Sequence, residues 1–141
     1  MGEFSLDFNS NCLYMQSMAR ILVVDDNALE SSALRDLLSQ EGYDVAVAAD
    51  ATEGYAAAID IPPDLILLDV QLPDVNGTDL IRIIKNREDL KDIPIIMITG
   101  KAKRAEDKAR GLQAGADDYL LKPFETSVLM QRIQWHLKNM P

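Results

Sequence analysis

Asp25 and Asp26 follow directly on the apolar run Ile21 to Val24, and Asp69 closes the run in "DLILLDV". Thr99 ends the apolar stretch of "IPIIMITG", and Lys122 ends that of "DYLLKPF", with Pro123 next. Three carboxylates, a hydroxyl and an amine therefore stand where apolar runs stop. Two adjacent aspartates oppose each other's ionisation, so a fold that keeps both usually supplies a cation. A hard cation such as Mg²⁺ takes oxygen ligands and is often held by one or two carboxylates. It would neutralise the acidic cluster and organise incoming phosphoryl oxygens. A carboxylate can act as a nucleophile and form an aspartyl phosphate. Charge then gathers on the equatorial oxygens, where a lysine and a hydroxyl are useful partners. The chemistry that uses the whole set is phosphoryl transfer to a carboxylate.

Taken singly, each residue has a plainer reading. Asp25 or Asp26 can cap a following helix, and Asp69 can mark a strand exit into the turn "QLPDVNG". Thr99 is an ordinary strand residue, and Lys122 can reach solvent along its apolar stem. All four plain readings must hold together, and the joint pattern argues against that.

The elements that must position these residues follow one rhythm from Arg20 onward. Strands are expected at 20–25, 43–48, 64–69, 93–99 and 117–121, with helices near 27–41, 51–60, 77–86, 103–114 and 125–139. Helix one presents Ala33, Leu34, Leu37 and Leu38 on one face, with Gly42 as its stop. Asp50 with Glu53 reads as a capping box opening helix two, and Gly115 can end helix four. Five strands alternating with five helices imply a parallel sheet covered on both faces, because each parallel return needs a crossover. In open α/β sheets ligands bind beyond the carboxyl ends of the strands, where the five chemical residues stand.

The 141 residues suit one domain with a genuine core. Apolar residues make up 48% and charged residues 26%, the profile of an ordinary globular protein. No apolar run reaches the roughly 18 to 20 residues needed to span a bilayer, so no membrane partner is expected. Cys12 is the single cysteine, which excludes an intrachain disulfide and fits a reducing, cytoplasmic setting. The net charge of −9 is unevenly spread. Residues 1–80 hold 15 acids against Arg20 and Arg35, whereas residues 81–141 hold 12 bases against 8 acids. Such a chain is a poor direct binder of nucleic acid. Residues 1–18 share none of the later pattern, and "NCLYMQS" resembles an altered protease-site linker, so they read as a vector-derived leader ahead of a domain at 19–141.

In order and spacing, "ILVVDDN", "LILLDVQLPDVNG", "IPIIMITG" and "GADDYLLKPF" resemble a response-regulator receiver domain of two-component signalling. The resemblance covers residues 20 to about 139. It implies a doubly wound five-stranded parallel sheet of order 2-1-3-4-5 with five helices, a flavodoxin-like three-layer sandwich. It makes Asp69 the acceptor of a phosphoryl group from a histidine kinase or phosphotransfer protein. It further implies Asp25, Asp26, Asp69 and the backbone carbonyl of Gln71 as the Mg²⁺ ligands, with Asp26 the more direct of the pair. Thr99 and Lys122 become the phosphoryl-sensing hydroxyl and cation, Tyr119 the aromatic switch, and Lys122–Pro123 a cis peptide. Output is expected through the face of helix four, strand five and helix five, toward a partner protein or a second copy of the domain. On this reading the chain is a signalling domain that assists its own phosphorylation and dephosphorylation, and no turnover enzyme.

Lys101, Lys103, Arg104, Lys108 and Arg110 give that face a basic cluster, and Gly100 leaves room beside Thr99. The resemblance puts Gln71 and Lys101, each two residues beyond a site residue, where side chains approach the phosphoryl group, although Lys101 reads first as a solvated lysine. His136 reads as a surface or packing residue, and Trp135 as a core residue sharing a face with Val128. Two rival functions remain. A haloacid-dehalogenase-like phosphatase would place D-x-D after strand one, where this chain has Asp25-Asp26-Asn27. A flavodoxin-like cofactor binder would need a phosphate-cradling loop there, and an acidic pair repels phosphate unless a metal intervenes.

Overall fold

The computed structural model describes residues 19–100 and 104–139. The leader, Lys101 and Lys103 lie outside the described residues. Strands β1 (Arg20–Val24), β2 (Asp44–Ala48), β3 (Leu65–Asp69), β4 (Ile95–Thr99) and β5 (Asp118–Leu121) alternate with five helices. The helices are α1 (Ala28–Gln40), α2 (Ala51–Asp60), α3 (Gly77–Lys85), α4 (Arg104–Ala114) and α5 (Thr126–Lys138). All four strand pairings are parallel, and the order is 2-1-3-4-5.

The apolar runs are continuous because both faces of the sheet are covered, and alternate residues serve different layers. Leu22, Val24, Ile66, Leu68, Ile95 and Met97 point into one core, packed by α2, α3 and the end of α4. Ile21, Val23, Leu65, Leu67, Ile96 and Ile98 point into the other, packed by α1 and α5. Strands β3 and β4 are buried throughout.

Helix starts follow local chemistry. Asn27, rather than Asp25 or Asp26, caps α1, its side-chain oxygen accepting from Leu29 N at 3.0 Å and Glu30 N at 3.1 Å. Asp50 caps α2 by accepting from Glu53 N at 2.7 Å. The reciprocal half of the expected box is displaced, since Glu53 accepts from Ala49 N at 3.4 Å. Gly42 and Gly115 take φ of 96° and 117°, which other residues adopt at a steric cost, and so end α1 and α4. On α1, Leu38 is fully buried and Leu34 packs beside it, but Ala33 is exposed.

On α5 the sequence reading of Trp135 fails. The buried stripe is Leu129, Ile133 and His136, which leaves Trp135 about 100° off it and 59% exposed. His136 packs inward and shares a 2.9 Å hydrogen bond with Asp118, whose other oxygen accepts from Arg132 at 2.7 Å.

The loop after β3 is tied down at both ends. Asp74 accepts from Ala51 N and Thr52 N at 2.9 Å each and from the Thr52 hydroxyl at 2.7 Å, fastening the loop to the start of α2. Those hydrogen bonds hold the Asp74 carboxyl well below the usual carboxylate range. At the loop's far end, Gly77 lies against the strand exit itself. A Cβ there would sit 2.7 Å from Val70 Cα and 2.9 Å from Asp69 O. Backbone cannot yield as a flexible side chain can, so Gly77→Ala is expected to destabilise the domain by about 1–3 kcal/mol. A lower melting temperature in thermal denaturation checks this, and an unchanged one contradicts the close approach.

Candidate functional site

Parallel pairing aligns the strand exits at one edge. Asp69 lies opposite Ile98, and Thr99 opposite Leu121. Asp25 leaves β1 beside them, its N–H bonded to Ala48 O at 3.0 Å. Lys122 N donates to Thr99 O at 2.8 Å, so the hydroxyl and the amine are joined through one backbone bond. The Lys122–Pro123 peptide is cis.

The side chains converge. Lys122 Nζ lies 3.1 Å from Asp69 Oδ2, and 2.9 and 3.1 Å from the two carboxylate oxygens of Glu30. Asp25, Glu30 and Asp69 can bring one oxygen each within 4.8 Å of one another. Asp69 Oδ1 is steadied by Gln71 N at 2.9 Å, and Asp25 Oδ1 by Asn27 N at 2.9 Å. Asp26 is exposed and is not one of the three. The Gln71 side chain is exposed as well. Glu30 is the residue that the sequence reading missed. Its signal was its place in the first turn of a helix opening directly beneath the acidic pair, but nothing local tied it to Lys122, 92 positions away.

Burial explains the electrostatics. It pushes the Asp25 carboxyl up to about 6, the Asn27 N–H pulling the other way and the Asp69 charge adding to the rise. Burial alone would pull the Lys122 ammonium down, yet its bonds to Glu30 and Asp69 outweigh it and raise the value. The donors are hard oxygens, and among the described residues Lys122 is the one ammonium beside the crowded carboxylates, so the set fits a small divalent cation.

Thr99 is fully buried, with its hydroxyl donating to Gly100 O at 3.2 Å. A Cβ on Gly100 would meet nothing within 4 Å, so there is open space beside Gly100. Tyr119 is half-buried against the α2–α3–α4 core, and Lys108 Nζ stands 4.3 Å from its ring centroid. Arg110 faces Glu106 at 3.8 Å, so part of the basic cluster on α4 is internally balanced.

The chain has known counterparts in sequence and fold. The family model of the response regulator receiver domain matches residues 21–134. The chain belongs to that family. It is 43% identical to the DNA-binding response regulator MtrA of Mycobacterium tuberculosis over 120 residues, which make up 85% of this chain and 51% of MtrA. It is 41% identical to the phosphate regulon transcriptional regulatory protein PhoB of Pseudomonas aeruginosa over 119 residues, covering 84% and 52% of the two. The receiver thus spans about half the length of the curated relatives it matches. Among solved structures, a CheY-like response regulator receiver domain protein from Methanospirillum hungatei is 35% identical with a TM-score of 0.81, covering 87% of this chain and 96% of that one. The chemotaxis response regulator CheY4 of Vibrio cholerae gives 31% and 0.78, covering 84% and 98%. The doubly wound fold expected from the motifs is the fold this receiver has.

At neutral pH the folded receiver holds Asp25 as a charge that burial disfavours, a cost the unfolded chain does not carry. In metal-free buffer at pH 7, Asp25→Asn is therefore expected to raise the melting temperature by roughly 2–6 °C. A lower or unchanged value would mean that Asp25 is stabilised as an anion by its neighbours.

Proposed function

We propose that this receiver is a phosphorylatable switch in which Asp69 accepts a phosphoryl group from the phosphohistidine of a histidine kinase or phosphotransfer protein. The single observation that carries the reading is the 3.1 Å pairing of Asp69 with Lys122 beside the buried carboxylate of Asp25. An Asp69 oxygen attacks phosphorus, and the P–N bond to the imidazole breaks. Lys122 offsets the charge on the transferred oxygens. Asp25, Asp26, Asp69 and the Gln71 backbone carbonyl would hold Mg²⁺. When bound, the cation offsets the negative charge that both the cluster and the phosphoryl group bring.

The hydroxyl of Thr99, now turned to Gly100 O, is released toward the phosphoryl group through the open space beside Gly100. The Tyr119 ring then moves toward the volume Thr99 vacates, converting a local charge change into a new outer surface. The phosphoryl group need only favour one of two pre-existing states. Lys108, beside Tyr119, and the neighbouring bases of α4 support α4, β5 and α5 as the output face, turned to an acidic partner or a second copy. The acidic balance supports a domain that does not itself contact nucleic acid, although MtrA is named as DNA-binding. Its setting on this reading is cytoplasmic, and among the described residues no helix is long and apolar enough to cross a membrane.

Intact-mass analysis with a small phosphodonor and Mg²⁺ is expected to show one added phosphoryl group on the wild type and none on Asp69→Asn. Equal labelling of the two would remove Asp69 as the acceptor. For the switch, beryllofluoride with Mg²⁺ is expected to move amide resonances of α4 and β5 as well as those at the strand ends. Thr99→Ala should confine the shifts to the strand ends, and confinement already in the wild type would sink the coupling.

A further inference from the structure

Lys122 has three N–H donors, and in this receiver two of its three carboxylate contacts go to Glu30. Glu30 belongs to another element altogether. It sits in the first turn of α1, where the Asn27 cap fixes its backbone N–H at 3.1 Å. A carboxylate in a first helical turn already interacts favourably with the helix dipole. That preference accounts for its place on α1 and says nothing of why both its oxygens face the ammonium beside the phosphoacceptor.

We propose that Glu30 is a built-in competitor of the phosphoryl group for Lys122, and so sets how tightly the site holds it. The proposal deepens the receiver reading above and rests on it. A phosphoryl group on Asp69 brings up to about two negative charges and three acceptor oxygens to the side chain Lys122 already touches. To serve those oxygens, Lys122 must loosen its two-oxygen grip on Glu30. The interaction given up is subtracted from whatever the phosphoryl group gains. Space for the exchange is present, since an open cleft of about 580 Å³ beside the pair is lined by Glu30, Lys122, Ala33, Leu34 and Phe124. Lys122 is 28% and Glu30 39% exposed at the side chain, so solvent screens the pair. Half-exposed ion pairs contribute modestly, which corresponds to a difference of about two- to fivefold in affinity. Glu30 is a positioning residue in this scheme, acting on phosphate through Lys122.

The test is the affinity for beryllofluoride at saturating Mg²⁺, read from amide shifts at the strand ends, in wild type, Glu30→Gln and Glu30→Asp. Thermal melts confirm that each variant is folded. Glu30→Gln removes the charge at nearly constant shape. Glu30→Asp keeps the charge but shortens the reach to Lys122 by one methylene. Both are expected to bind beryllofluoride about two- to fivefold more tightly than wild type. Equal or weaker binding by Glu30→Gln overturns the proposal. Tighter binding by Glu30→Gln together with wild-type affinity in Glu30→Asp also overturns it, because general charge and no grip on Lys122 would then be acting. If the wild type shows no beryllofluoride shifts at all, the receiver reading fails instead, and the two failures are distinct.

Discussion

Carboxylates from β1, α1 and β3 converge at the carboxyl edge of the sheet, and one ammonium from the end of β5 stands among them. So much like charge beside an apolar interior is costly unless each group finds a partner. Lys122 supplies two of those partnerships, and backbone N–H groups of Asn27 and Gln71 supply others. Everything else in the domain can be seen as the frame that keeps this edge assembled. The sheet order puts β1 and β3 side by side, β3 beside β4 and β4 beside β5, so residues from four strands meet at one line. In this order one strand separates β3 from β5, a gap that the Lys122 side chain spans to reach Asp69 at 3.1 Å.

The frame is stiff where it must be. Strands β3 and β4 are buried along their whole length between two cores, and Gly77 lets α3 seat directly on the backbone leaving β3. Asp74 fastens the loop between them to α2. Such packing has few intermediate arrangements, so a small change at the edge favours a discrete rearrangement over gradual deformation. The residues of the proposed switch lie on the other side of the edge. The Thr99 hydroxyl donates to Gly100 O at 3.2 Å, and Tyr119 is half-buried with the Lys108 ammonium over its ring. On the proposed reading, Asp69 stays fixed as the acceptor while the Thr99 hydroxyl and the Tyr119 ring rearrange between two states.

The far end of β5 has a second ionic knot. Burial would raise the Asp118 carboxyl, but hydrogen bonds from His136, the Tyr119 N–H and Arg132 hold it below its ordinary value. These contacts lock α5 to β5 immediately beside Tyr119. The same geometry turns Trp135 outward, next to His136 at an edge-on 4.9 Å.

Much was legible in the sequence because its signals are local or periodic. Unbroken apolar runs fixed strands buried on both faces, the glycines at 42 and 115 marked helix ends, and chemical residues at the run ends marked the edge. The ordered motifs carried the family and, with it, the strand order. Three features were decided only by the tertiary structure. The ion pair of Glu30 with Lys122 spans 92 residues, and no spacing rule reaches that far. The outward turn of Trp135 depended on which stripe of α5 met the sheet, a matter of about 100° that an amphipathic pattern with aromatic and polar neighbours leaves open. The cap of α1 fell to Asn27 because Asp25 was drawn down into the site and its carboxylate turned back to accept the Asn27 N–H. Sequence specifies what each segment prefers by itself, whereas pairing across distant segments is chosen by the packing that brings them together.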